Sequence, residues 1–190
     1  MNRYLSLIIQ KANWKKAVIF TLLFVVFYIL INFSDIGVAG LLKITHGANI
    51  LDLERFGYSH EKAFQILTAL GAEGRAFYLT KILPLDFPLP FVYMLCFAGW
   101  MAFLLKRVAV KEWFKYLLFI PFLSGLFDWL ENICIIIMLK QYPMVSAVLY
   151  SAASFMTVSK SIFTITSVMI ILILLVIDLR TRNKKSITER

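Results

Sequence analysis

Residues Tyr116–Leu139, YLLFIPFLSGLFDWLENICIIIML, decide the fold. Apart from Ser124 and the group Asp128, Glu131 and Asn132, this run is apolar over the length of a spanning helix. About 20 such residues match a hydrocarbon core of about 30 Å. An ionisable group at mid-bilayer costs several kcal/mol unless it is paired or reached by water, so two acids this close together need a reason.

Outward from this run lie three more apolar segments: Ala17–Phe33, Phe87–Leu105 and approximately Val158–Ile177. A hydrophobic content of 61% and a mean hydropathy of +0.80 over 190 residues exclude an ordinary soluble domain. The sequence therefore predicts one all-α membrane domain, residues 1–190. It is a four-transmembrane-helix bundle with an additional amphipathic helix in the long segment Ser34–Asp86. A basic start, an apolar run and the small residues at Gly37–Gly40 also fit a cleaved signal peptide. The apolar run is longer than such a leader needs, which favours an uncleaved anchor.

The net charge of +9 is concentrated in Arg3–Lys16, Lys106–Lys115 and Arg180–Arg190. Those three segments fall on one side if all four spans cross, whereas acids and bases nearly balance over Ser34–Asp86. This is the positive-inside pattern. It places both termini in the cytoplasm, Ser34–Asp86 outside, and the protein in the plasma or inner membrane. The basic segments then face anionic lipid of the bilayer at roughly 1 kcal/mol per Lys or Arg. Nucleic acid is not expected as a partner.

Within Ser34–Asp86, the glycine-bearing first half to Tyr58 reads as irregular chain at the membrane surface. In the second half Ser59 is a plausible N-cap, with Glu61 in the first turn. Phe64, Leu67, Gly71, Gly74, Tyr78 and Ile82 follow at helical spacing, ending before Pro84. Gly71 and Gly74 would allow close approach to a neighbour. Pro121 and Gly125 should bend the third span below its acids. Ala147, Ser151, Ser154 and Ser161 form a small-residue packing stripe on a last helix that starts well before the bilayer.

Each span carries a polar stripe: Thr21, Tyr28, Asn32 and Asp35; Asp86, Tyr93 and Trp100; Ser124, Asp128, Glu131 and Asn132; Thr157, Lys160, Thr164 and Ser167. Lipid cannot satisfy these groups, so the stripes should turn inward. Helical rise places Glu131 about 24 Å and Lys160 about 27 Å above the cytoplasmic ends, which makes them the first-choice ion pair. Asp128, about one turn lower, has no evident basic partner. Asp35 and Asp86 sit toward the outer mouth, with Arg75 and Lys81 above them. The acids outnumber the bases there, so a carboxyl must be protonated, hold a cation or pair with Arg75.

The ligand-binding candidates are Asp128, Glu131, Asn132, Lys160, Asp86, Arg75, Tyr78, Tyr93 and Asn32, around a lipid or small amphiphile. The bland alternative is internal glue that fixes helix register. A membrane enzyme on a lipid or isoprenoid would use Asp128 or Glu131 as acid or base and Lys160 as stabiliser. Asp86, Asp128 and Glu131 are weak candidates for a hard cation. No cofactor is identified. A proton- or cation-coupled carrier would call for a homo-oligomer, because four spans make a thin wall. Polarity thins out in the cytoplasmic half, which favours a blind pocket over a conduit.

No span contains histidine, which disfavours intramembrane zinc or Ser/His chemistry, and His46 and His60 read as solvated loop residues. Cys96 and Cys134 differ in depth by roughly 13 Å, too far for a disulfide. The runs Gly74–Tyr78, Asp86–Pro88 and Asp128–Asn132 match no motif of described activity.

Overall fold

Four helical stretches are long and apolar enough to cross a membrane: Trp14–Ile44, Gly71–Arg107, Glu112–Gln141 and Ala147–Asn183. The computed structural model describes residues 2–108 and 111–188, which are mostly helical, with a largely irregular stretch over 45–59, and contain no strand. The end of the basic segment Arg180–Arg190 lies outside them.

Helix α1 (Asn2–Gln10) precedes α2 (Trp14–Phe33), whose start is capped by Asn13 accepting from the Lys15 N–H at 2.9 Å. A turn at Ser34–Gly37 leads to α3 (Val38–Ile44). A Cβ on Gly37 would lie 2.1 Å from the Ile31 carbonyl oxygen, so this turn needs glycine. Helix α4 (His60–Ala69) is capped by Ser59 as its spacing predicts. At Gly71, with φ +64°, the path breaks, and α5 (Gly71–Phe77) continues in a new direction.

The helix does not stop before Pro84. A π turn over Tyr78–Ile82 leads into α6 (Leu83–Asp86) and then α7 (Leu89–Arg107). Pro84 lacks an N–H and its ring crowds the carbonyl four residues back, at Thr80. The wider π turn contains that carbonyl, which accounts for its position. Helix α8 (Phe119–Gln141) follows a 3₁₀ stretch over Glu112–Leu118, so Pro121 lies in a first turn and not at a mid-span bend. Helix α9 (Ala147–Thr188) starts well before residue 158, as expected.

The long helices pack chiefly as α8 on α9 and α2 on α7, with α7 also against α8 and α9. Two apolar clusters lie at opposite ends. One contains Leu5, Met101, Leu105, Leu118 and Leu174 at the basic end. The other joins Leu41, Leu51, Leu67 and Tyr78 to Ile135, Met138 and Tyr150. The segment 34–58 is irregular outside α3 and a 3₁₀ turn at Leu51–Leu53, as expected, but it is not surface chain: it folds into a cap over the ends of α8 and α9. Leu41, Leu51 and Leu67 have no exposure at all.

The small-residue stripe packs only in part, with Ser154 accepting from the Tyr58 N–H at 2.9 Å. Ala147 and Ser151 are exposed, and the packed face of α9 carries Tyr150, Ala153 and Thr157. Gly74 does allow the expected close approach, since a Cβ there would meet the Thr45 methyl at 2.5 Å.

Candidate functional site

The third helical stretch brings its acids to the junction of α7, α8, α9 and the cap. Asp128, Glu131 and Asn132 share one face of α8 and are all buried, Glu131 and Asn132 completely. Lys160, on the facing side of α9, joins them. Its Nζ contacts Glu131 Oε2, the pair expected from depth, and lies 3.1 Å from Asp128 Oδ1. Asp128 therefore has a basic partner after all. The lysine stem reaches two acids one turn apart, which a count of depths alone does not show.

The remaining bonds tie every neighbouring element to this centre. Thr157 Oγ1 donates to Glu131 Oε1 at 2.6 Å. Tyr93 Oη donates to Asp128 Oδ2 at 3.0 Å, and Asn132 Nδ2 donates to Asp86 Oδ2 at 2.8 Å. Ser124 and Thr164 bond at 2.6 Å just beyond Tyr93. Further toward the basic end, Trp100 Nε1 donates to Thr21 Oγ1 at 2.9 Å, and Thr21 contacts Cys96 Sγ at 3.3 Å. Cys96 and Cys134 are both free thiols.

Asp52 is the residue the sequence reading missed. It is carried by a 3₁₀ turn, Leu51–Leu53, inside the cap. Tyr78 Oη donates to its Oδ2, and its Oδ1 lies 3.9 Å from Lys160 Nζ. Its side chain is only 16% exposed, and Oδ1 is buried with no hydrogen-bond partner. The available signal was an acid within the apolar tetrad Ile50-Leu51-Asp52-Leu53, which is unusual for a solvated loop. Tyr58 in the cap lies close as well, and burial followed by the Glu131 charge pushes its phenol pKa up.

Three expected participants lie elsewhere. Asp35 is 84% exposed and pairs with Lys43 at 2.6 Å, because α2 ends at Phe33 and the helical stripe does not continue past it. Arg75 turns away from the acids. Its guanidinium donates to the Leu67 carbonyl at 2.7 Å and stacks 3.9 Å over the Tyr142 ring. Lys81 is exposed and likewise does not descend. Asn32 stays at the site's margin, donating to the Tyr28 carbonyl of its own helix at 2.8 Å. His60 packs on Tyr150, with ring centroids 4.6 Å apart, and His46 is exposed.

A cavity of about 290 Å³ opens beside this network. Asp52, Asp86, Asp128, Lys160 and Arg55 line it, and Phe24, Ile31, Val38, Ile50, Phe97 and Ile165 supply apolar wall. Glu131 and Asn132 lie behind that wall and hold Lys160 and Asp86 in place. Among the described residues no three of His, Cys, Asp or Glu come together as a group that could hold a metal ion. Asp86, Asp128 and Glu131 are not such a group: Asn132 engages Asp86, and Lys160 engages both Asp128 and Glu131. No family model, curated protein or solved structure matches this chain.

Proposed function

We propose that this chain is a multi-pass membrane protein of the plasma or inner membrane, a four-helix bundle with cytoplasmic termini and an outward-facing cap. Its function is to bind a lipid or small amphiphile in the cavity beneath the cap. The observation that carries this reading is the make-up of the cavity, lined by three carboxyls, the Lys160 ammonium and the Arg55 guanidinium together with aromatic and aliphatic side chains. Ligand pockets combine a mostly apolar lining with a few convergent polar groups in this way.

Membrane residence is supported by what α2 and α9 leave uncovered. Ile19, Leu22, Val26 and Ile29 on α2, and Ile162, Met169, Leu172 and Ile173 on α9, are exposed. A chain in water does not leave apolar stripes of that length open. The blind-pocket reading is supported by what lies beyond Asp128. Thr164 still lines the cavity, but Ser124 beyond it bonds to Thr164, and Thr21 bonds to Trp100, so Ser124 and Thr21 are satisfied within the protein.

The test separates a pocket from internal glue. Ser161 lines the cavity without belonging to the acid–lysine network, so Ser161→Phe fills space and leaves the ion pairs alone. Lipid extracts of gently purified protein should contain an amphiphile that is enriched in wild type and depleted in Ser161→Phe and Asp52→Asn. Identical profiles from all three proteins, with unchanged thermal stability, would leave only the glue role.

A further inference from the structure

A second and larger cavity, about 780 Å³, lies at the opposite, basic end between α1, α2, α7 and the start of α8. Its floor exists because small residues meet there. Ala17 of α2 is fully buried, and a Cβ on Gly99 of α7 would lie 3.6 Å from its Cα and Cβ. Ala98 and Ala102 extend this floor along α7, with Leu95 one turn from Ala98 and Gly99. Helix α1 supplies the outer wall. Leu5 anchors it in the apolar cluster of that end, while Leu7 and Ile8 face the groove and remain partly exposed.

The charge at this groove is opposite to that at the capped end. Lys11 and Lys16 both line it, both are exposed, and neither forms an ion pair among the described residues. No carboxyl is among the lining side chains. The first turn of α2, at Asn13 and Lys16, adds the positive end of a 20-residue helix. The groove thus offers apolar surface for a chain and a cationic rim for a head.

We infer that this groove is a binding site for one anionic phospholipid of the surrounding leaflet. Its acyl chain lies over Ala98 and Ala102, and its phosphate lies between Lys11 and Lys16. A free second copy of the protein is disfavoured as occupant, because the isologous contact would oppose two lysine rims. The site is independent of the outer cavity, which has no lining residue in common with it.

The experiment is native mass spectrometry of the full chain titrated with phosphatidylglycerol and with phosphatidylcholine carrying the same acyl chains, and with the matching free fatty acid. One tightly held phosphatidylglycerol is expected. Lys11→Gln and Lys16→Gln should each weaken it roughly fivefold, from about 1 kcal/mol per basic residue near an anionic surface. Lys11→Arg and Lys16→Arg should retain it, Ala98→Phe should abolish it, and Ser161→Phe should leave it unchanged. Equal retention of the two phospholipids would overturn the inference, as would stronger retention of the free fatty acid. So would phosphatidylglycerol binding that survives Ala98→Phe, or a dimer that covers Lys11 and Lys16.

Discussion

Lys160→Met removes the ammonium around which the site is built and substitutes an apolar side chain of similar length. In the structure that ammonium contacts Glu131, lies 3.1 Å from Asp128 and is 3.9 Å from Asp52. A unit-charge pair near 4 Å interacts by about 4 kcal/mol at an effective dielectric of about 20, before desolvation is counted. Removing one member of a buried pair therefore costs about 3–5 kcal/mol, because the partner is left uncompensated. Glu131 has no exposure, so water cannot replace the lysine there. The triple variant Lys160→Met, Asp128→Asn, Glu131→Gln removes the stranded charges and should recover most of that loss. Equilibrium unfolding in mixed micelles, followed by circular dichroism, measures both. A single variant within about 1 kcal/mol of wild type, the range of exposed pairs, would refute the reasoning. So would a triple variant no more stable than the single one.

Other consequences follow from the packing. Gly125→Val should cost about 1–3 kcal/mol, because a Cβ there would meet the Met94 Sδ at 2.4 Å, and Met94→Ala should relieve part of it in the same unfolding assay. Gly57→Ala should destabilise the cap by about 1–3 kcal/mol, since Gly57 has φ +86° and its Cβ would meet Ser154 Oγ and Val158 Cγ2 at 2.8 Å. Hydrogen exchange should then rise at the Tyr58 N–H, which donates to Ser154 Oγ at 2.9 Å. Trp100→Phe should lose the bond to Thr21 and about 0.6–1.7 kcal/mol, and adding Thr21→Val should cost further, because Thr21 also donates to the Ala17 carbonyl at 2.9 Å and contacts Cys96 Sγ.

The parts of this structure legible in the sequence were those governed by apolar length and by helical rise. Four apolar runs of spanning length read as helices long and apolar enough to cross a membrane, and hydrocarbon would force their polar stripes to meet. Counting rise along α8 and α9 was enough to pair Glu131 with Lys160. The reading failed where a helix ended or changed direction. The stripe through Thr21, Tyr28 and Asn32 could not include Asp35 once α2 stopped at Phe33. Arg75 was misplaced because the break at Gly71 redirects the chain, and its guanidinium finds the Leu67 carbonyl and Tyr142 instead of an acid. Asp52 was hard to place for a different reason. Its apolar neighbours Ile50, Leu51 and Leu53 mark it as unusual for a solvated loop, but which groups it meets depends on burying Leu51 among residues of α4, α8 and α9, contacts distant in sequence.

An experimental structure of the protein purified without delipidation tests the central claim most directly. The account predicts an elongated molecule in the cavity between Phe24, Ile31 and Phe97, with its polar end within hydrogen-bonding distance of Asp52 or Asp128. Asp128 and Glu131 found on the lipid-facing wall, or a cavity closed by side chains with Lys160 still paired, would contradict it.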